Sequence, residues 1–164
     1  MDHELAQVNV ARLRDPLDAP ETAEFVAGLA PVNALADAAP GFVWRLQGEA
    51  GDATGIRVGA DPMLIVNLSV WESIEALRAF VYSEGHLPYL RGRRAWFTRL
   101  AGPSLACWWV AAGHRPTTAE AMARLARIEA VGPGPDAFDL RRPYDPAGAP
   151  LAAPAGAARS RSRP

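Results

Sequence analysis

Hydrophobic and polar positions alternate along four stretches of the chain, and between them lie stretches where apolar residues recur every three or four positions. From Glu4 to Ala11, Leu5, Gln7 and Asn9 fall on one side while Ala6, Val8 and Val10 fall on the other, the period of a β-strand. Phe42 to Gln47 alternates likewise, with Phe42, Trp44 and Leu46 opposite Val43, Arg45 and Gln47. Met63 to Trp71 is apolar except for Asn67 and Ser69, which share a face with Trp71. Leu105 to Ala111 predicts a fourth strand, with Cys107 and Trp109 on one face and Trp108 on the other. The Gly/Asp-rich segment after Gln47 predicts an exposed hairpin connection that returns through Ile56–Val58.

Helical spacing fills the intervals. Phe25, Leu29, Val32 and Ala36 mark one buried stripe, which Pro31 is expected to break or kink after Gly28. A helix beginning near Glu72–Ser73 places Ile74, Leu77, Phe80 and Val81 inward, and it ends around Ser83–Gly85. Pro88 suits the first turn of the next helix, where backbone N–H groups have no intrahelical partner. Thr117 followed by Glu120 forms a capping-box pattern for a helix over 118–131, closed by Gly132–Pro133. Phe138–Leu140 could add a short edge strand, and from Arg142 the chain is rich in Pro, Ala, Gly and Arg without periodicity. One domain over 1–141 and a disordered tail over 142–164 are therefore expected.

The order β, α, β, β, α, β with extra helices predicts an α+β fold: a ferredoxin-like split βαβ with an antiparallel four-stranded sheet. Helices cover one face of such a sheet. Assigning the amide- and tryptophan-bearing face to the uncovered side leaves Trp71 and one of the tandem tryptophans in water, which a monomer tolerates poorly. A homodimer with the two sheets face to face is the expectation that follows.

Composition narrows the functional classes. With 17 basic against 18 acidic residues the net charge is −1, so no field draws the chain to nucleic acid or an anionic membrane. Every basic residue is Arg, which together with the Ala, Gly and Pro content reads as the codon bias of a GC-rich bacterial genome. Cys107 is the sole cysteine, excluding an internal disulfide and any cysteine-cluster metal site. There is no basic segment followed by a long apolar run, and a cytoplasmic protein is expected. Nucleophile-elbow, phosphate-loop, dinucleotide and HExxH motifs are absent.

The segments HELAQVNVARL, APGFVWRL, LIVNLSVWESIEALRAFVYSEGH, RRAWF and WWVAAGHRPTTAEA, spread over roughly residues 3 to 144, resemble the bacterial family called domain of unknown function 3291. The resemblance implies the dimeric α/β-barrel superfamily, whose branches include cofactor-independent quinol-forming monooxygenases and haem-degrading oxygenases. It transmits a fold and a dimer, not an activity, since one scaffold hosts several chemistries.

Candidate residues follow from both sources. By resemblance to the haem-degrading branch, Asn9, Trp71 and His86 stand at broadly similar places, and His86 is the candidate axial ligand. By resemblance to the monooxygenase branch, no bound cofactor is needed, and an aromatic or apolar substrate sits in a dry cavity whose amide and indole donors meet developing charge. Asn9, Asn67, Trp71 and Trp109 are suited to that lining, with Gln7 and Arg45 as further ligand contacts. A histidine at a helix start, as His86 is, is more often a capping or surface residue than a catalyst; as a catalyst it is a general base, because imidazoles titrate near neutrality. Asn9 and Asn67 are equally a pair that satisfy each other across neighbouring strands. Arg45 suits an ion pair at the rim, and Arg91, Arg93, Arg94 and Arg99 read as a solvated helix face. A third reading is a non-enzymatic dimer whose tryptophans only fill an interface.

Overall fold

A computed structural model describes residues 2–152. The chain is α+β with a five-stranded antiparallel sheet. Its strands are β1 (His3–Leu13), β2 (Phe42–Arg45), β3 (Leu64–Trp71), β4 (Phe97–Thr98) and β5 (Leu105–Ala111). Its helices are α1 (Ala23–Asp37), α2 (Ile74–Val81), α3 (Leu87–Trp96) and α4 (Thr118–Val131). β1 is central, pairing with β3 on one side and with β5 and the short β4 on the other, while β2 lies outside β3. This is the ferredoxin-like strand order expected from the sequence, with β4 as an addition.

Register decides which side chains share a face. Leu5, Gln7 and Asn9 stand opposite Trp71, Ser69 and Asn67 on β3 and opposite Trp109, Cys107 and Leu105 on β5. The other face carries Ala6, Val8, Val66, Leu68, Ala106 and Trp108, all buried. α4 lies on that second face through Ala121 and Leu125, and Leu46, Ala53, Ile56 and Val58 from the long β2–β3 connection pack beside it. Ile56–Val58 forms no strand; these residues serve as core cover instead.

Several expectations change. The amide-bearing face is the one beneath α1, α2 and α3, and Trp71 is 1 % exposed within the single chain. Trp108 is buried just as deeply on the opposite face. No tryptophan face is left bare, so Trp71 and Trp108 need no second sheet to bury them. A bulge between Phe42 and Trp44 puts Phe42 and Arg45 in register with Trp71 and Ser69, and sets Trp44 against Val70, so strict alternation along β2 does not hold. α1 runs unbroken through Pro31. Both Pro31 and Ala27, whose carbonyl loses its partner, are exposed, so water meets the freed acceptor.

Other elements match their signals. Ser73 caps α2 by accepting from the Ala76 N–H, and Thr117 and Glu120 form the reciprocal capping box of α4. Phe138 bridges Cys107 through N–H···O bonds in both directions, short of a strand. The packed chain continues past Arg142: Pro143 is buried, the Tyr144 carbonyl accepts from Trp109, and Leu151 donates to the Pro143 carbonyl. The rest of the expected tail, 153–164, lies outside the described residues.

Candidate functional site

The helix-covered face is closed at one end and stands open at the other. At the closed end Leu5, Trp71 and Cys107 lie beneath Ile74, Leu77 and Phe138, all buried. Cys107 is sealed there: burial, with Asp139 nearby and only partly offset by Arg78, pushes its thiol far above the usual range. At the open end Asn9 and Asn67, directly paired across β1 and β3, are exposed although both strands are interior to the sheet. They floor a cavity of about 1140 Å³. Its walls come from Phe25, Leu29 and Val32 of α1, from Tyr89 and Arg93 of α3, and from His86 at the start of α3.

A run of side-chain hydrogen bonds along this face fixes what the floor presents. The Trp71 indole Nε1–H donates to Ser69 Oγ at 2.9 Å, Ser69 Oγ donates to Gln7 Oε1 at 3.0 Å, and Gln7 Nε2 donates to Asn9 Oδ1 at 3.0 Å. An indole nitrogen can only donate. Ser69 accepts from Trp71 and passes its own proton to Gln7, whose amide donates in turn to Asn9. Asn9 is left with its Nδ2 hydrogens for the cavity. Among the described residues Asn67 has no side-chain hydrogen-bond partner, so the two asparagines do not satisfy each other. The floor therefore offers the Asn9 Nδ2 donors and both ends of the Asn67 amide to whatever occupies the space above it.

His86 borders the same cavity. It occupies the cap position of α3 but makes no side-chain capping bond. Its Nδ1 lies 2.9 Å from the Val81 carbonyl. A carbonyl only accepts, so Nδ1 carries a proton, and in the neutral ring the lone pair is at Nε2. The ring also packs on Phe80 at 4.8 Å between centroids, and Phe80 stacks on Trp71 at 5.2 Å. These contacts hold the ring in one orientation, and the bond to Val81, the last residue of α2, caps the C-terminal end of that helix.

The expected site residues thus divide. Asn9, Asn67 and His86 meet at one void, and Arg45 stands on its lining while ion-paired to Asp37 at 2.7 Å and donating to the Gly51 carbonyl. Gln7 and Trp71 do not border the void; they lie behind the floor as parts of the hydrogen-bonded run. Trp109 is elsewhere, its indole spent on the Tyr144 carbonyl at 2.7 Å beside a separate cavity of about 300 Å³. His114 bonds Glu120 at the start of α4, a structural role.

Other lining residues are not marked as functional by the sequence. Phe25, Leu29 and Val32 face inward as their spacing predicts, but they line a void instead of a filled core. Tyr89 carries no signal of its own. A Cβ at Gly28 would collide with the Tyr89 ring, so this glycine is what lets α3 lean on α1. Arg93, Arg94 and Arg99 are exposed as expected, yet they border the cavity as well.

Comparison with known proteins places the chain. Residues 4–153 match the family described as Domain of unknown function (DUF3291). The chain belongs to this family. No curated protein matches it. Among solved structures it is similar to SnoaB from Streptomyces nogalater, a cofactor-independent oxygenase, at 23% identity and a TM-score of 0.43 over 70% of this chain and 95% of that one. It is also similar to Rv0793 from Mycobacterium tuberculosis, at 16% identity and a TM-score of 0.45 over 70% and 99%. A third is a putative antibiotic biosynthesis monooxygenase from Chloroflexus aurantiacus J-10-fl, at 18% identity and a TM-score of 0.44 over 68% and 97%. Among the described residues no helix is long and apolar enough to cross a membrane, and no cluster of three or more His, Cys, Asp or Glu side chains is placed to hold a metal ion.

Proposed function

We propose that this DUF3291 protein binds an aromatic or apolar small molecule between the amide floor and helices α1 and α3, and oxygenates it without a bound cofactor. The observation that carries the reading is the directed run from Trp71 to Asn9, which leaves amide N–H groups facing a cavity that His86 also borders. His86 Nε2 is the group suited to take a proton from an acidic carbon or phenol. Negative charge then grows on the substrate oxygen, where Asn9 and Asn67 can donate to it. The resulting electron-rich anion is itself the reductant of dioxygen. For an anthrone-type methylene, one oxygen atom ends as the new carbonyl; the other leaves as water with the two methylene hydrogens, so no external reductant is required.

An oxygen-electrode assay on anthrones and hydroquinones tests this. Turnover above buffer is expected, falling about 10²–10⁴-fold in His86→Ala and about 10²–10³-fold in Asn9→Ala or Asn67→Ala. No turnover above buffer, unchanged in these variants, sinks the enzymatic reading.

A second reading, haem binding, is favoured by one observation: the Val81 carbonyl holds Nδ1–H of His86, so Nε2 is the atom that would hold the iron of a haem bound in this cavity. Trp71, the third member of that set, is sealed in the core and does not border the cavity. A haemin titration without a Soret shift, or with the same shift in His86→Ala, removes it.

A further inference from the structure

Cationic side chains gather on the lining of this cavity from separate parts of the chain. Arg14 follows β1, Arg93 and Arg94 belong to α3, Arg99 follows β4, and Arg141 comes from the C-terminal segment; all border the void and all are exposed. Arg12, Arg45, Arg115 and Arg127 are each ion-paired. Among the described residues the cavity arginines other than Arg45 have no carboxylate partner; Arg14 only donates to the Arg94 carbonyl at 3.1 Å. The one carboxylate on the lining, Asp52, is engaged by the Thr54 N–H and hydroxyl at 2.8 and 2.6 Å.

The chain as a whole is almost neutral at −1, so this excess of positive charge is local. A solvated helix face does not account for it, because the residues converge from four places in the sequence upon one opening. Guanidinium groups match a planar carboxylate in charge and geometry, and a cavity bordered by one sign of charge draws in the opposite sign.

We propose that the ligand of this cavity is an aromatic acid, its ring against Phe25 and Trp96 above the asparagine floor and its carboxylate among Arg14, Arg93, Arg94 and Arg99. The inference rests on the reading that the cavity binds an aromatic or apolar molecule, and it names the substrate class. Because the arginines are exposed, the carboxylate sets preference and salt dependence more than total affinity.

The test is calorimetric titration of the full chain with anthraquinone-2-carboxylate and with the neutral anthraquinone-2-carboxamide. The acid is expected to bind about tenfold more tightly. That advantage should shrink in about 0.5 M NaCl, where the screening length is a few ångströms. It should also shrink in an Arg93→Gln/Arg94→Gln variant, with the acid losing more affinity than the carboxamide and the circular dichroism spectrum intact. Equal binding of the two probes overturns the acid preference and leaves the cavity reading standing. Binding of neither overturns both. A preference that survives Arg93→Gln/Arg94→Gln and also Arg14→Gln/Arg99→Gln puts the carboxylate elsewhere and refutes the assignment.

Discussion

Ser69→Ala removes the middle of the run that orients Asn9, and its cost can be worked from the partners it strands. The Trp71 indole N–H is buried in a residue only 1 % exposed and Gln7 is 6 % exposed, so neither reaches bulk water once Oγ is gone. An unsatisfied buried polar group costs about 1–3 kcal/mol. Two of them imply a loss of about 2–4 kcal/mol after partial relaxation, a large share of the roughly 5–15 kcal/mol that holds a domain folded. Urea denaturation followed by tryptophan fluorescence measures it, as a lower midpoint at unchanged slope. Adding Trp71→Phe removes the stranded donor, so the double variant should lose less than the sum of the single losses, with a coupling of about 0.5–3 kcal/mol. The same substitution frees Gln7 to turn, and Asn9 with it, so ligand affinity should fall even though Ser69 does not border the cavity. A Ser69→Ala protein within about 0.5 kcal/mol of the parent, or single losses that simply add, refutes the run of bonds.

Gly28→Ala should lower stability by about 1–2 kcal/mol even though alanine is the better helix former by about 1 kcal/mol, because overpacking against the Tyr89 ring costs about 1–3 kcal/mol. Tyr89→Ala in the same chain should restore the loss; a Gly28→Ala variant more stable than the parent shows that the ring does not rest there. Glu120 gives a pH prediction. Partial burial pushes its carboxyl up, but hydrogen bonds from the Thr117 N–H, the His114 ring and the Thr117 hydroxyl outweigh this and hold it below the usual carboxylate range. A depressed folded-state value means that its contribution is present above the unfolded carboxylate range and is lost as pH falls through the folded value. Glu120→Gln should therefore be less stable than the parent at neutral pH, by a small margin for so exposed a group, and the gap should close in acid; a gap that widens on acidification contradicts the sign. The family resemblance implies a homodimer, for which light scattering is expected to give twice the chain mass of 17.5 kDa; a single chain mass overturns that expectation.

Local pattern was enough to define the elements and their faces. α4 runs from Thr118 to Val131 with its capping box, and β5 runs from Leu105 to Ala111, each at the expected bounds, because caps and strand periods are local signals. Alternation also put Asn67, Ser69 and Trp71 on one side of β3 and Gln7 with Asn9 on one side of β1, since it fixes which residues of a strand share a side; the register of the two strands then joined them. It did not say which side the helices cover. Both faces are apolar enough to be buried, and a mid-strand asparagine looks the same under a helix, at a dimer seam or above a cavity. Only the packing of α1, α2 and α3 settled that, closing over Leu5 and Trp71 while leaving Asn9 and Asn67 open. The direction of the hydrogen bonds from Trp71 to Asn9, the lean of Tyr89 on Gly28, and the meeting of arginines from four parts of the chain are set by contacts that bring separate elements together. No local pattern encodes those contacts, so the cavity belongs to the tertiary structure and the faces that border it to the sequence.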